Sequence, residues 1–516
     1  MKVAVRADAS GTIGTGHLRR CLSLAAALVD LGAELCFVVR RHDDVAGHVM
    51  ASAGYPVFWL PAAEAAVEFD VGAPPHAAWA QVPWQRDGSE TAAALKDFGP
   101  DWVIVDHYGF DAQWHDRVRE YLSCAILAID DLGDRPLAAD IVLDANAATS
   151  HADKYAGRVS SNVRMLTGPR FAPLSPVYRD APRYVFSSQV RSLGVFLGGT
   201  DADGVSAKVV RSLRDDAGFR GAIEVVSTSG NPRLGELKAV CDAAVATLTI
   251  DLADLSAFYT RHDLQIGAGG TSSYERCCLG VPTVAVVLAA NQLAVVPFLI
   301  ELGVVRGAAL PDVEATRLLP DLPALGSVVR ELVDEPEQRR ALSCNAARYV
   351  DGRGAQRVAL VMFADLLTVR AATIGDSVLL HTWRNDPATR AVSINTGGIE
   401  YADHLRWLTG TLASSARKLF VAMVGTQPVG VIRFDLFDDD TCEVSLYVDP
   451  GLHGLGLGTR MLVAGEAAVM CVVRGTMQFH AQIVPGNGVS KKMFERVGYE
   501  GSAGRLTKTR YQEDAA

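Results

Sequence analysis

The sequence predicts an α/β protein with two doubly wound parallel sheets in series, followed by a smaller α+β domain. Three observations predict it. Short apolar runs recur at Leu35–Val39, Trp102–Val105, Ala125–Ile129 and Ile141–Leu143, several of them followed by helical patterns, as a parallel sheet wound on both faces requires. A second cycle opens at Leu193–Leu197 and continues through Ile223–Val226, Leu264–Ile266 and Thr283–Val287. Past about residue 370, Leu419–Val424, Val429–Asp435 and Thr441–Val448 read as successive antiparallel strands, with turns at Gly425–Pro428 and Asp438–Asp440. The expected domains are 1–172, 173–368 and 369–516. The polar, proline-bearing stretch Pro173–Ser188 suits the first linker, and Glu335–Leu367 supplies one or two amphipathic helices before the third domain.

Composition bounds the function. A chain of 516 residues, 49% hydrophobic and 21% charged, can bury several compact cores. A formal charge of -10 argues against a nucleic-acid surface. Nine cysteines without a Cys-x-x-Cys pair fit reduced thiols in a cytoplasm. The first helix carries His17, Arg19 and Arg20, and no stretch reaches the roughly 18–20 apolar residues of a membrane helix, so export and insertion are not expected.

The chemistry-bearing string comes first in the chain. Lys2–Ala7 alternates toward a strand, Gly11, Gly14 and Gly16 allow close backbone approach to a ligand, and Leu18, Cys21, Leu22, Ala25 and Val29 mark one helical face. His17 then stands at the positive end of a helix, where a neutral imidazole able to take a proton is favoured over the imidazolium. The competing reading is that Thr15 or His17 merely caps the helix.

The wider pattern joins Arg6-Ala7-Asp8-Ala9-Ser10, Ile13-Gly14-Thr15-Gly16-His17 and Arg20-Cys21 with Asp106-His107-Tyr108-Gly109, Ile129-Asp130-Asp131-Leu132 and Gly168-Pro169-Arg170. It resembles the UDP-sugar hydrolases of pseudaminic acid biosynthesis over roughly residues 1–350. Those enzymes release 2,4-diacetamido-2,4,6-trideoxy-L-altrose from UDP and are related to MurG-like glycosyltransferases, so the resemblance implies a GT-B arrangement of two Rossmann-like domains. It assigns the general base to His17 and implies water attack at C1 with inversion. Asp8, Gly14 and Gly16 are the expected substrate-binding positions of this string. Tyr108, at the carboxyl end of a strand, could bind the sugar or position His17, and Arg170 could meet a phosphate; an ordinary loop hydrogen bond and a linker ion pair are the alternatives.

The second domain offers the nucleotide site. Residues 264–280 run from a strand through Gly269, Gly270 and Thr271 into a helix, aiming backbone N–H groups at a diphosphate. Glu275 in the first turn can take both ribose hydroxyls, the role of the matching glutamate in relatives, but Ser272-Ser273-Tyr274-Glu275 is also a capping box. Asn291, after Ala289-Ala290, matches a family motif at the cleft and would orient substrate or water. No cluster in the first 350 residues has metal-ligand spacing, so no catalytic metal is expected.

In the third domain, Leu379–Pro387 ahead of Tyr401–Leu412 resembles the opening of Gcn5-related N-acetyltransferases that act on amino sugars. Asp449–Thr459 then resembles their acetyl-coenzyme A pyrophosphate loop, implying cofactor contacts at Gly454, Gly456, Gly458 and Thr459, although His453 replaces the usual Arg or Gln. In that family a later asparagine, here Asn487, contacts the cofactor arm, and the tyrosine acid seven positions on is here Phe494. Glu443 and Tyr447 lie on one strand face and could relay a proton from the amine and serve as acid or sugar contact; a solvated strand edge is the alternative.

Together these resemblances imply a bifunctional enzyme that acetylates the 4-amino group of a UDP-sugar with acetyl-coenzyme A and then hydrolyses the product to sugar and UDP. The alternatives are a GT-B glycosyltransferase with an acyltransferase appended, and a hydrolase whose third domain only binds acyl-coenzyme A as a regulator.

Overall fold

The computed structural model describes residues 1–64, 73–289, 292–307, 321–437, 440–472, 476–502 and 504–511. The chain divides into two compact units, one of Met1–Val29 and Ala33–Val358, the other of Asp30–Gly32 and Ala359–Ala516. None of the helices among the described residues is long and apolar enough to cross a membrane. All nine cysteines are unbridged.

The first unit holds two parallel sheets. Strands β1 (Lys2–Ala7), β2 (Glu34–Arg40), β3 (Val57–Leu60), β4 (Trp102–Asp106), β5 (Ala125–Ile129), β6 (Ile141–Asp144) and β7 (Arg164–Thr167) lie in the order β3-β2-β1-β4-β5-β6-β7. Strands β8 (Ser192–Phe196), β9 (Ala222–Ser227), β10 (Thr247–Ile250), β11 (Leu264–Ala268), β12 (Thr283–Val286) and β13 (Arg306–Gly307) repeat it as β10-β9-β8-β11-β12-β13. Each sheet therefore reverses its winding beside its first strand, and loops at the carboxyl ends there line a crevice. The expected pair of Rossmann-like sheets is present. The apolar runs that predicted β4–β6 are buried on both faces, with Val103, Val105, Ile126, Ala128 and Val142 in one core. Ala145, Ala147 and Tyr178 share a core with Phe258, Tyr274 and Val296, so the two halves of this unit pack on each other.

Helix Gly16–Asp30 corrects the expected face. Leu18, Cys21 and Ala25 are buried as expected, but Leu24 and Leu28 join them, whereas Val29 is 44% exposed. His17 and Arg20 are buried on the same face, turned toward β4 by partners described below.

The second unit carries one mixed sheet of β14 (Leu367–Ala371), β15 (Arg417–Val424), β16 (Gln427–Leu436), β17 (Thr441–Val448), β18 (Thr476–Gln482), β19 (Glu500–Ser502) and β20 (Arg505–Tyr511), in the order β14-β15-β16-β17-β18-β20-β19. The pairs β15/β16 and β16/β17 are antiparallel as expected; residues 438–439 of the second expected turn lie outside the described residues. β17 and β18 are parallel and pair only over Thr441–Glu443 and Gln478–His480. The rest of β17 runs on without a partner on that side, which opens the sheet before helix Leu457–Met470.

Candidate active sites

β1 and β4 are neighbours in register, Ala7 opposite Asp106, so the loop after β1 and the end of β4 meet at one edge of the crevice. Gly14 has φ +80°, a left-handed conformation that suits glycine, and closes the loop through its N–H on the Ser10 carbonyl at 2.8 Å. A side chain at Gly14 or Gly16 would enter open space, consistent with room for a ligand there.

His17, 8% exposed, follows as the second residue of the helix. Its Nδ1 donates to Asp106 Oδ1 at 2.6 Å. Arg20 Nη2 is 3.3 Å from the same nitrogen but, as a donor facing a donor, cannot bond it. Nε2 is thereby left as the basic atom. Asp106 also accepts from Arg20 Nε at 2.5 Å and Nη2 at 2.6 Å. Burial works against its ionisation, but Arg20 and His17 outweigh that and hold its carboxyl far below the usual carboxylate range. Asp106 and Arg20 were not among the expected site residues. Their signals, a strand-end aspartate and an arginine three residues after the histidine, acquire meaning only when β4 lies beside β1.

Tyr108 packs its ring edge-on to His17 at 4.7 Å, and its hydroxyl donates to Asp131, which also pairs with Arg20. Burial first, then the Asp131 charge, push the Tyr108 phenol well up, so it stays neutral. The hydroxyl is therefore committed to Asp131, and the ring packs against His17. Trp79 and His76, also missed in the sequence, complete an aromatic box. Trp79 lies 5.9 Å from His17 and 5.6 Å from Tyr108, and His76 lies 4.7 Å from Trp79. A Cβ at Gly109 would sit 2.7 Å from the His76 carbonyl, so this glycine is what lets the box dock beside Tyr108.

Asp8 lies beneath the loop. It is fully buried, bound by Arg6 at 2.5 and 2.9 Å and by the Arg40 backbone N–H at 2.8 Å. Arg6 and Arg40 both continue to Asp87. Both carboxylate oxygens are occupied within the protein, tying the end of β1 to β2. Arg170 is exposed, lies 5.2 Å over the Phe171 ring, and gives its backbone carbonyl to Arg357.

On the second sheet, helix Ser272–Leu279 follows Gly269, Gly270 and Thr271. Thr271 is the residue before it and makes no side-chain cap, so the capping box considered for Glu275 is not formed. Glu275 Oε2 instead accepts from the Tyr259 hydroxyl at 3.2 Å, and burial raises its pKa despite nearby Arg276. Gly269 is demanded by packing: a Cβ there would fall 2.2 Å from Val296 Cγ2, whereas at Gly270 the nearest atom is 3.5 Å away. Arg276 lies wholly buried under this loop. Tyr274 reaches the first sheet, donating to Asn146 Oδ1 at 3.3 Å and accepting from Ala147 N–H at 3.1 Å; Asn146 Nδ2 in turn donates to Asp131 at 3.0 Å. Asn291 lies outside the described residues. Among the described residues no group of three or more His, Cys, Asp or Glu could hold a metal ion.

In the second unit, Gly454 and Gly456 have φ +81° and +76°, and Gly456 opens helix Leu457–Met470, with Thr459 in its first turn. Gly458 serves packing: a Cβ would meet Met493 Sδ at 2.7 Å. Asn487 caps helix Gly488–Arg496, its Oδ1 accepting from Ser490 N–H at 3.1 Å. Glu443 is paired on both sides, with Asp435 on β16 and His480 on β18, whereas Tyr447 lies on the part of β17 beyond the β18 pairing. Glu443 is half-buried, and the Tyr447 hydroxyl donates to the Leu380 carbonyl at 3.4 Å with its pKa raised by burial. Phe494, which has no proton to give, is buried edge-on to Tyr499, whose hydroxyl is buried and donates to Glu466 at 2.8 Å.

Residues 380–499 match the acetyltransferase (GNAT) family. Seventy-eight residues are 35% identical to acetyltransferase PseH of Campylobacter jejuni, 15% of this chain and 49% of that protein, so the chain spans about half the length of this relative. In the N-terminal part, 239 residues are 25% identical to the UDP-2,4-diacetamido-2,4,6-trideoxy-beta-L-altropyranose hydrolase of the same species, covering 46% of this chain and 73% of that one. The crystal structure of MurG from Acinetobacter baumannii covers 70% of this chain and 98% of its own at a TM-score of 0.47 and 16% identity.

Proposed function

We propose that the chain is a bifunctional nucleotide-sugar enzyme. Residues 1–368 hydrolyse UDP-2,4-diacetamido-2,4,6-trideoxy-beta-L-altropyranose, and residues 369–516 acetylate the 4-amino group of its precursor with acetyl-coenzyme A. The observation that carries the first half is the His17–Asp106 pair at a helix start: one nitrogen is tied to an ionised carboxylate and the other is left basic. The relative named as such a hydrolase supports the substrate. In this reading His17 Nε2 takes a proton from water as the water oxygen bonds C1 and the C1–O bond to UDP breaks. Asp106 stabilises the imidazolium so formed, as in other carboxylate–histidine pairs. The departing diphosphate keeps the bonding electrons and is met by N–H groups of Gly270, Thr271 and the helix behind them. Glu275 grips the ribose, Asn291 orients water or sugar, and Gly14, Gly16 and Arg170 contact substrate.

The second half rests on the GNAT match and on Gly454 and Gly456, whose conformations expose the amino end of a helix to a pyrophosphate. Acetyl-coenzyme A would supply the acetyl group there. Asn487, its oxygen used in the cap, would reach the cofactor arm through Nδ2. Glu443 would relay the amine proton, with Tyr447 as acid or sugar contact.

The test is incubation with UDP-4-amino-4,6-dideoxy-N-acetyl-β-L-altrosamine, with and without acetyl-coenzyme A, read by mass spectrometry. Free coenzyme A, UDP and diacetylated sugar are expected only with the acyl donor, and His17→Ala should accumulate the acetylated UDP-sugar. Sugar release that requires an added acceptor refutes the hydrolase, and coenzyme binding without turnover refutes the transferase.

A further inference from the structure

Arg276 has no role in the chemistry above, yet its position is costly. The side chain is fully buried. Its Nη2 donates to the Ala268 carbonyl at 2.8 Å and to Ser273 Oγ at 3.1 Å, its Nη1 to Ser272 Oγ at 3.2 Å, and its Nε has no hydrogen-bond partner among the described residues. All of these acceptors are neutral. The other buried arginines are compensated differently. Arg6, Arg20 and Arg40 each face carboxylates. Arg339 bonds the carbonyls of Leu332 and Val333 in the last turn of helix Leu322–Asp334, where the helix dipole is negative. Arg276 folds back to the start of its own helix, where the dipole is positive and adds to the guanidinium charge. Glu275 feels its charge but makes no direct ion pair with the guanidinium among the described residues, and a buried cation held only by neutral acceptors is unfavourable in the free protein. The backbone is nevertheless cleared for it, since a Cβ at Gly267 would fall 2.2 Å from Nη1.

We propose that Arg276 is a positioning residue for the diphosphate: a fixed positive charge beneath the Gly269–Ser272 loop whose counter-ion is the ligand bound on the loop's outer side. This rests on the reading of that loop as the UDP site. The geometry suits action through the loop. The guanidinium holds the Ala268 carbonyl and both serine hydroxyls, fixing the turn that presents the next N–H groups. Beyond it, Thr271 is exposed and, among the described residues, a Cβ at Gly270 would find only Gln292 Nε2, at 3.5 Å. An anion there gains from the loop N–H groups, the helix dipole and the charge behind them.

The experiment is titration of the full chain with UDP and with uridine, which share base and ribose and differ in the diphosphate. Arg276→Met removes the charge at similar length, and Arg276→Gln keeps one donor for the Ala268 carbonyl without the charge. Each should reduce the UDP-to-uridine affinity ratio about 10–100-fold, the scale of one charge-assisted interaction. Arg276→Lys should restore part of it. A purely structural role would lower the melting temperature and weaken both ligands alike, and an unchanged ratio in whichever neutral variant folds overturns the proposal. Wild-type protein that binds uridine as tightly as UDP would instead refute the underlying site assignment.

Discussion

Asp106→Asn tests the hydrolytic centre most directly, because the substitution keeps volume while removing one charge from a buried group with three short contacts. A charge-assisted hydrogen bond contributes about 1.5–3 kcal/mol. Losing that to the developing imidazolium alone slows the reaction by roughly 10–150-fold, at 1.36 kcal/mol per factor of ten. A second loss adds to it. If the new amide turns its NH2 toward His17, Nδ1 becomes the acceptor and Nε2 carries the proton, so the ring cannot accept one from water. The expected decrease in kcat is on the order of 10²–10⁴. UDP affinity should hold, because the loop proposed to bind the nucleotide, before helix Ser272–Leu279, is on the other sheet. Stability will fall by less than the roughly 3–5 kcal/mol of a broken buried pair, since Arg20 keeps Asp131. Asp106 has a depressed pKa in the folded protein, so its stabilisation is complete above the unfolded value of about 3.9 and is lost as pH falls toward the folded one. The melting difference between wild type and variant should therefore narrow on acidification below about pH 4. Single-turnover UDP release, with circular dichroism and UDP titration as controls, decides the matter. A folded, UDP-binding variant whose kcat stays within an order of magnitude of wild type refutes the pair as the base.

Three further outcomes follow from the same geometry. Glu275 must be ionised to accept two ribose hydroxyls and its pKa is raised by burial, so UDP affinity should climb as pH rises through that value, and Glu275→Gln should flatten the profile. The ligand-free wild type should lose stability relative to Glu275→Gln over the same rise, the sign set by a raised carboxyl pKa; calorimetry and melting curves at several pH values check both. Trp79→Ala should raise KM for the deoxysugar substrate by about 2–10-fold, the scale of one aromatic contact, with uridine affinity unchanged; equal KM values exclude the box from sugar binding. Gly456→Asp places a β-carbon at φ +76° and a negative charge at the helix start, and should abolish release of coenzyme A while hydrolysis of already acetylated UDP-sugar continues in the same assay.

Much of the fold is legible because it is local. A strand buried on both faces must be apolar at every position, so β4, β5 and β6 stand out as runs, and both sheets then follow from their alternation with helices. The helix after β1 was legible as a helix, but its face was displaced. Leu22 and Val29 fit the apolar period as well as Leu24 and Leu28 do, and only packing chooses between them.

The site divides along a similar line, and its errors have one physical origin. Residue type and spacing bring His17 to a helix start and Gly456 to the left-handed turn before one, because both effects act within a turn of chain. What a charged side chain does there depends on its partner, and the partners are remote in sequence: Asp106 is 89 residues from His17, and Asp87 is 81 from Arg6. Asp8 and Asp106 are therefore alike in sequence, each an aspartate at the end of an apolar strand, and opposite in consequence. One is locked among arginines below the loop, the other is turned to a histidine at its mouth. The glycines separate in the same way. Gly14, Gly454 and Gly456 are set by their own φ, a local property, whereas Gly109, Gly267, Gly269 and Gly458 are set by what lies 2.2–2.9 Å from an absent Cβ. Substitution by alanine distinguishes the two kinds physically, since backbone strain is the cost at the first set and displacement of a neighbour is the cost at the second. At Gly267 the displaced neighbour is the guanidinium of Arg276, so a single methyl group there would act on the Gly269–Ser272 loop without touching it.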